Sequence, residues 1–290
     1  MTFAGPDFLV IGAQRSGTTW LHHVLKQHPD LWLPRIKELH YFDNLGAKRT
    51  WFDPREQRRW GRKIELRALL SSDPWERRFW FGKRSDAWYA ELFRGAQARG
   101  LTAGEITPAY AILDESVLRR IQGMNPRIKL AFIMRDPLDR AWSAINNATK
   151  KGRLAGALTV EAALARLRSP SFAARSAYTD TINRLETVFP ASQLCFSFFE
   201  ELRDAPEDLA QRLLRFLGVE PGDVRSYLPA RAINSAAGSK PIPAAFALEA
   251  AKEYHPMVRD LSMRFDGPPQ QWLSRYEAIL AGRAVSVVAS

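Results

Sequence analysis

Residues 8–19 read FLVIGAQRSGTT, an apolar run with strand-forming side chains that ends in a glycine turn. Beyond the turn, Trp20, Leu21, Val24 and Leu25 recur at helical spacing until His28-Pro29. The stretch therefore reads as strand, loop, helix. A turn of this kind leaves backbone N–H groups unpaired at the positive end of a helix, where they hold phosphate oxygens without any side chain. Gly12 and Gly17 form the G-x-x-x-x-G frame of a phosphate-cradling loop, with Ser16, Thr18 and Thr19 adding hydroxyls. Thr18, however, stands where a nucleoside triphosphatase needs its lysine. The only cation of the loop is Arg15, inside it.

The same rhythm continues along the chain. Thr102–Ile106 and Lys129–Met134 are short apolar segments, the second with the composition of a buried parallel strand. Asp136-Pro137 reads as an N-cap with proline at the first helical position, opening a helix through about Lys150. After a break at Gly152–Gly156, helices are expected over Val160–Arg168 and Arg175–Phe189. A strand follows over Gln193–Phe198, then a helix Pro206–Leu217 closed by Gly218. This alternation predicts an α/β fold: a single P-loop-like domain, residues 1–290, with a central mostly parallel β-sheet flanked by helices. Ligands of such folds bind at the carboxyl ends of the strands, which puts the Gly12–Thr19 loop and Arg135 on one rim.

The net charge of +11 favours an anionic or phosphorylated partner, although many basic proteins bind nothing acidic. No apolar run approaches the ~20 residues that cross a bilayer, and the first residues lack a cationic stretch before an apolar one. Cytoplasmic placement without a transmembrane anchor is the expectation. The single cysteine, Cys195, excludes an internal disulfide and a cysteine metal cluster, and lies in a strand-like run as a buried residue. Residues 44–84 interrupt the rhythm with twelve Lys/Arg against five acids and with Trp51, Trp60, Trp75 and Trp80. This insertion reads either as a solvated face with tryptophans folded into the core or as an acceptor-binding lid.

The loop GAQRSGTTWL resembles the 5′-phosphosulfate loop of sulfotransferases that use 3′-phosphoadenosine 5′-phosphosulfate (PAPS), leaving PAP as product. That resemblance implies donor contacts from Arg15, Ser16, Gly17, Thr18 and Thr19. It also implies an arginine and a serine gripping the donor's 3′-phosphate, and FIMRDPLDRAWSAI supplies Arg135 and Ser143 in that arrangement. A guanidinium fork suits phosphate oxygens, and a hydroxyl on the following helix completes the grip. The segment Lys37–Asp43 (KELHYFD) is similar to the K-E-x-H-F-F segment of heparan sulfate and related carbohydrate sulfotransferases, whose glutamate acts as base. Glu38 is the preferred base; in an extended segment His40 would point the same way, and Lys37 would accompany it toward substrate.

GEITPAY (104–110) resembles the E-K-T-P-A-Y segment of that family, implying acceptor contacts from Thr107 and Tyr110, with Ile106 in place of the lysine. Asn234–Pro241 and the helical Glu253–Pro256 look like the family's donor-covering loop and C-terminal helix, making Gly238, Ser239 and Lys240 donor contacts. The implied reaction is in-line sulfuryl transfer to a hydroxyl of a carbohydrate, lipid or small molecule. No metal is expected, because a sulfuryl group carries less charge than a γ-phosphoryl, and nucleic acid is not an expected partner. Two rival readings remain: a P-loop small-molecule kinase, and a non-catalytic polyanion-binding protein using the 44–84 stretch.

Overall fold

The computed structural model of the chain describes residues 5–45, 72–152, 158–229 and 241–283. Five strands, β1 (Phe8–Gly12), β2 (Leu31–Trp32), β3 (Thr102–Ile106), β4 (Lys129–Met134) and β5 (Leu194–Phe198), form one sheet in the order β2-β3-β1-β4-β5. All its pairings are parallel. Four of these strands were predicted; β2, two residues long at an edge, is new.

Burial on both faces explains the continuous apolar runs. Along β1, Leu9 and Ile11 enter one core with Leu130, Phe132 and Met134 of β4. Phe8 and Val10 enter the opposite core with Ile106, Ala131 and Ile133. That second core is closed by α1 (Thr18–Gln27) through Trp20, Leu21, Val24 and Leu25. The first is covered by a larger set of helices, among them α2 (Pro74–Phe81), α3 (Asp86–Gln97), α4 (Glu115–Met124) and α5 (Pro137–Lys150).

α5 starts where its sequence requires: the Asp136 carboxylate accepts from Leu138 N at 2.8 Å, with Pro137 at the first helical position. The predicted Val160–Arg168 helix is α6 (Val160–Leu167), followed by the single turn α7 (Pro170–Ala173). The helix expected from Arg175 begins three residues later, as α8 (Tyr178–Val188), because Ala174–Ser176 form a turn leading out of α7 and Ala177 is the N-cap. After β5 come α9 (Phe199–Asp204) and α10 (Pro206–Leu217), the latter closed by Gly218 in the left-handed conformation. Two long helices, α11 (Ala244–Arg264) and α12 (Pro268–Leu280), complete the fold.

Within the 44–84 insertion only the ends are described. There Trp75 stacks on Phe79 at 5.2 Å and donates its indole N–H to Leu92 O at 2.9 Å, so it belongs to the core. Trp51 and Trp60 lie outside the described residues, as do Gly238, Ser239 and Lys240. Cys195 sits part-buried on β5 with its Sγ 3.8 Å from Ser197 Oγ, and burial pushes its thiol pKa up, which disfavours a reactive thiolate. No described helix is long and apolar enough to cross a membrane.

The β1–α1 junction depends on Gly17, which has φ 78°. A Cβ there would lie 2.5 Å from Leu202 Cδ1 and 3.2 Å from Phe199 Cδ2. The glycine thus makes room for α9 as well as for the turn. Gly17→Ala is expected to cost about 1–3 kcal/mol in urea unfolding through left-handed strain alone, and an unchanged midpoint would contradict this account.

Candidate active site

The loop after β1 leads into α1 with no side-chain cap and no acidic residue in the helix's first turn. Its N-terminal N–H groups therefore lack the partners that usually neutralise a helix start. Ser16 is fully buried, and its Oγ has no hydrogen-bond partner among the described residues. A buried orphan hydroxyl beside uncapped helix N–H groups suits a bound anion.

β4 delivers the second cation to this rim. Arg135 Nη1 donates to Arg15 O at 3.1 Å, and its guanidinium lies 4.4 Å from the Phe199 ring centre. Arg15 Nε donates to Ser143 Oγ at 3.0 Å. The loop, the end of β4 and α5 thus meet as the sequence implied, with Arg15 bridging them. Burial, above all, lowers the pKa of both arginines; in Arg15 the charge of Arg135 adds to it. Two cations held this close favour an anion between them.

On the other side of the loop, Lys37 Nζ donates to Thr19 Oγ1 at 3.3 Å and lies 3.3 Å from Glu38 Oε1. Glu38 Oε2 is 3.4 Å from His40 Nε2, and His40 Nδ1 is 2.8 Å from Asp43 Oδ2. One polar chain therefore runs Thr19–Lys37–Glu38–His40–Asp43. Sequence reasoning did not single out Asp43, although its spacing of three residues from His40 was visible. Burial works against a charged His40, but hydrogen bonds to Asp43 and Glu38 outweigh it and raise its pKa to about 10. The imidazolium cannot take a proton at neutral pH. Glu38 is held below the ordinary carboxylate range: burial would raise it, but the hydrogen bond from His40 and the charge of Lys37 prevail. Of the two base candidates, Glu38 alone is unprotonated.

The expected extended geometry is not what brings these two side chains together. Glu38 has φ 65° and His40 φ 51°, both left-handed, with Leu39 fully buried between them. What holds this bent segment is Glu105 on β3. Its carboxylate accepts from Leu39 N at 3.1 Å, Tyr89 Oη at 2.5 Å, Thr107 Oγ1 at 2.7 Å and Tyr110 Oη at 3.0 Å. Tyr110 Oη in turn accepts from Tyr41 N at 2.9 Å. Burial raises the pKa of Glu105, and its four donors pull the other way.

Thr107 and Tyr110 are thus corrected. Their hydroxyls, at 0% and 1% residue exposure, are spent on Glu105 behind the site and do not face an acceptor. Ile106 is equally buried, in the core beneath α1.

The sequence profile of the sulfotransferase family matches residues 6–223. The chain belongs to the sulfotransferase family. Human heparan sulfate glucosamine 3-O-sulfotransferase 5 is 29% identical over 138 residues, covering 48% of this chain and 29% of the human protein. The mouse 3-O-sulfotransferase 6 is 27% identical over 224 residues, covering 74% of this chain and 53% of its own length. The chain therefore spans about half or less of these curated relatives. Among solved structures, the sulfotransferase from Alicyclobacillus acidocaldarius shares the fold with a TM-score of 0.62 and 22% identity, covering 93% of this chain and 99% of that one.

Two outcomes check this site. His40 should titrate near pH 10 by NMR, contributing stability below its free pKa of 6.5 that disappears as pH rises through about 10. Asp43→Asn should bring that pKa down, and a value near 6.5 in the parent would refute the Glu38–His40–Asp43 chain. Glu105→Gln would place an NH₂ group against a donor and should cost on the order of 3 kcal/mol in urea unfolding; a neutral result would remove Glu105 from its central position.

Proposed function

We propose that this protein transfers a sulfuryl group from PAPS to an acceptor hydroxyl. The observation that carries the reading is the convergence of Arg15, Ser143 and Arg135 on the uncapped loop, with an ionised Glu38 linked to the same loop through Lys37. PAPS carries phosphates at the 3′ and 5′ positions of its ribose, and the two cations of this rim support a reading in which each meets one of them. Ser16, Gly17, Thr18 and Thr19 with the helix N–H groups would hold the 5′-phosphosulfate, and Arg135 with Ser143 the 3′-phosphate. Gly238, Ser239 and Lys240 are further donor contacts by resemblance. A phosphoryl-transfer reading would need a lysine at position 18, where this chain has the buried Thr18 at the start of α1.

In the proposed step the acceptor oxygen attacks sulfur while the bond from sulfur to the 5′-phosphate oxygen breaks. The acceptor proton passes to Glu38, and the charge left on PAP is met by the loop N–H groups, Arg15 and Lys37. His40, as an imidazolium hydrogen-bonded to Asp43, fixes the Glu38 carboxylate and is not itself the base. A carbohydrate hydroxyl is the acceptor class favoured by the named activity of the relatives.

Glu38→Gln should lower kcat by at least a hundredfold, within the range of a lost general base, while PAP affinity measured by calorimetry stays within about twofold. Incubation with PAPS and a panel of sugars, with mass spectrometry for one added sulfuryl group, tests the reaction. Failure to bind PAP would remove the reading.

A further inference from the structure

The rim that gathers Arg15, Arg135 and Ser143 is braced from behind by α9. Phe199, its first residue, has its ring centre 4.4 Å from the Arg135 guanidinium, and Phe199 and Leu202 together fill the space beside Gly17. This short helix thus touches both the loop and the arginine. Glu200 follows Phe199 directly. Its Oε1 accepts from Trp272 Nε1 of α12 at 2.9 Å and from the N–H of Asp136, the residue after Arg135, at 3.4 Å. Its Oε2 has no hydrogen-bond partner among the described residues, although Glu200 is only 7% exposed.

The charges around this carboxyl are unevenly shared. At the start of α5, Asp136 and Asp139 both hold Arg275 of α12, at 2.5 and 3.0 Å, and Asp136 also accepts from Tyr276 Oη. On α9 itself, Arg203 is held by Asp204 at 2.6 Å. Glu200 receives neutral donors only. A buried carboxyl without a cation of its own keeps its proton more readily than neighbours that have one. Burial pushes the Glu200 pKa up to about 7; hydrogen bonds from its own backbone N–H and from Trp272 oppose this, and the Asp136 charge adds to it. Asp136 is raised as well, by burial and by Asp139, but Arg275 draws it back. Once ionised, Glu200 acts on the rim through Arg135, whose positive charge it favours.

We infer that Glu200 is a positioning residue that takes up a proton when an anion settles at Arg135, so that donor affinity falls as Glu200 ionises. This rests on the sulfuryl-transfer reading above, which identifies the anion as PAPS or PAP. A phosphate at Arg135 adds negative charge beside a carboxylate that burial already disfavours, so the ionised form of Glu200 is penalised further in the complex. The proton comes from solvent and returns to it when the ligand leaves. Protonated Glu200 keeps an oxygen for Trp272 and for the Asp136 N–H, so α9 stays against the loop while the negative charge behind Arg135 disappears.

The test is calorimetry of PAP binding from about pH 6.5 to about pH 8.5 on the parent and on Glu200→Gln, which keeps the accepting oxygen and cannot ionise. If the bound anion raises the Glu200 pKa by about one, the parent should lose about fivefold in affinity relative to Glu200→Gln across this window, the two nearly matching at its acid end. Titration of PAP itself is common to both proteins and leaves the ratio unchanged, and His40, at about 10, lies outside the window. Repeating the measurement near the middle of the window in HEPES and in Tris, whose ionisation heats differ, should show the parent taking up about half a proton more than Glu200→Gln. A merely structural role would change affinity by one factor at every pH and leave the proton count alone. Should Glu200→Gln fold poorly, the Trp272 indole N–H reports the same proton in the parent by NMR, and its midpoint should rise when PAP is added. A constant affinity ratio, an equal proton count or an unmoved Trp272 midpoint overturns the inference while the sulfuryl-transfer reading stands; absence of PAP binding by the parent overturns both.

Discussion

The carboxylate of Glu105 stands at the end of β3 with three hydroxyls and one backbone N–H directed at it, and the geometry of the Glu38–His40 segment follows from that arrangement. Residues 37–41 belong to no helix or strand, so no ladder of backbone hydrogen bonds fixes them. Two of them, Glu38 and His40, hold left-handed φ values that cost about 1–3 kcal/mol each in a non-glycine residue. Leu39, between them, is fully buried and gives its N–H to Glu105; Tyr41 gives its N–H to Tyr110, which is itself on Glu105. With the residues on either side of it pinned inside the protein, the strained pair is left facing the rim. A buried carboxylate this well supplied with donors offsets its desolvation only while all the donors remain.

The side of the rim that carries Arg135 is held by a second buried network. Asp136 caps α5 and also accepts from Tyr276 Oη at 3.0 Å and Arg275 Nη1 at 2.5 Å, while Asp139 takes Arg275 Nη2 at 3.0 Å. α12 is thereby fastened beneath the residue that follows Arg135. Tyr178 Oη donates to Arg135 O at 3.1 Å, and Phe199 lies against its guanidinium. The backbone and the charged end of Arg135 are thus fixed by different elements, and its orientation does not wait for a ligand.

What could be read from the sequence divides along the same line. β1 and β4 are legible because strands buried on both faces are near-continuous apolar runs, and Asp136-Pro137 because a cap is a local signal; β3 and β5, TAGEI and LCFSF, carry polar residues within shorter apolar stretches. β2 is too short to carry a pattern. The helices α3 and α4 carry local start signals too, since Ser85 and Asp114 cap them through Trp88 N and Val117 N, but their apolar faces are short. Glu38 and His40 were correctly paired for an incorrect reason, since nothing local to KELHYFD announces positive φ. The role of Glu105 is not legible in GEITPAY because its partners Leu39 and Tyr89 lie 66 and 16 residues away. Contacts of that range are made by the sheet order, which places β3 beside β1.

The missing lysine at Thr18 also reads differently once the elements are assembled. In a loop with its own lysine, the cation that faces the transferred group is carried by the loop. Here Arg15 is drawn across to Ser143 and Arg135, and the ammonium nearest Thr19 comes from Lys37 at 3.3 Å. Lys37 precedes Glu38, so the cation at the loop and the carboxylate that would accept the proton ride on one short segment. That segment is positioned by Leu39 on Glu105, not by the loop. A change at Glu105 should therefore disturb the cation and the base together, whereas a change at Arg135 should leave both in place. The proposed donor grip and the proposed proton transfer are built on separate anchors, joined at the surface by the hydrogen bond from Lys37 to Thr19.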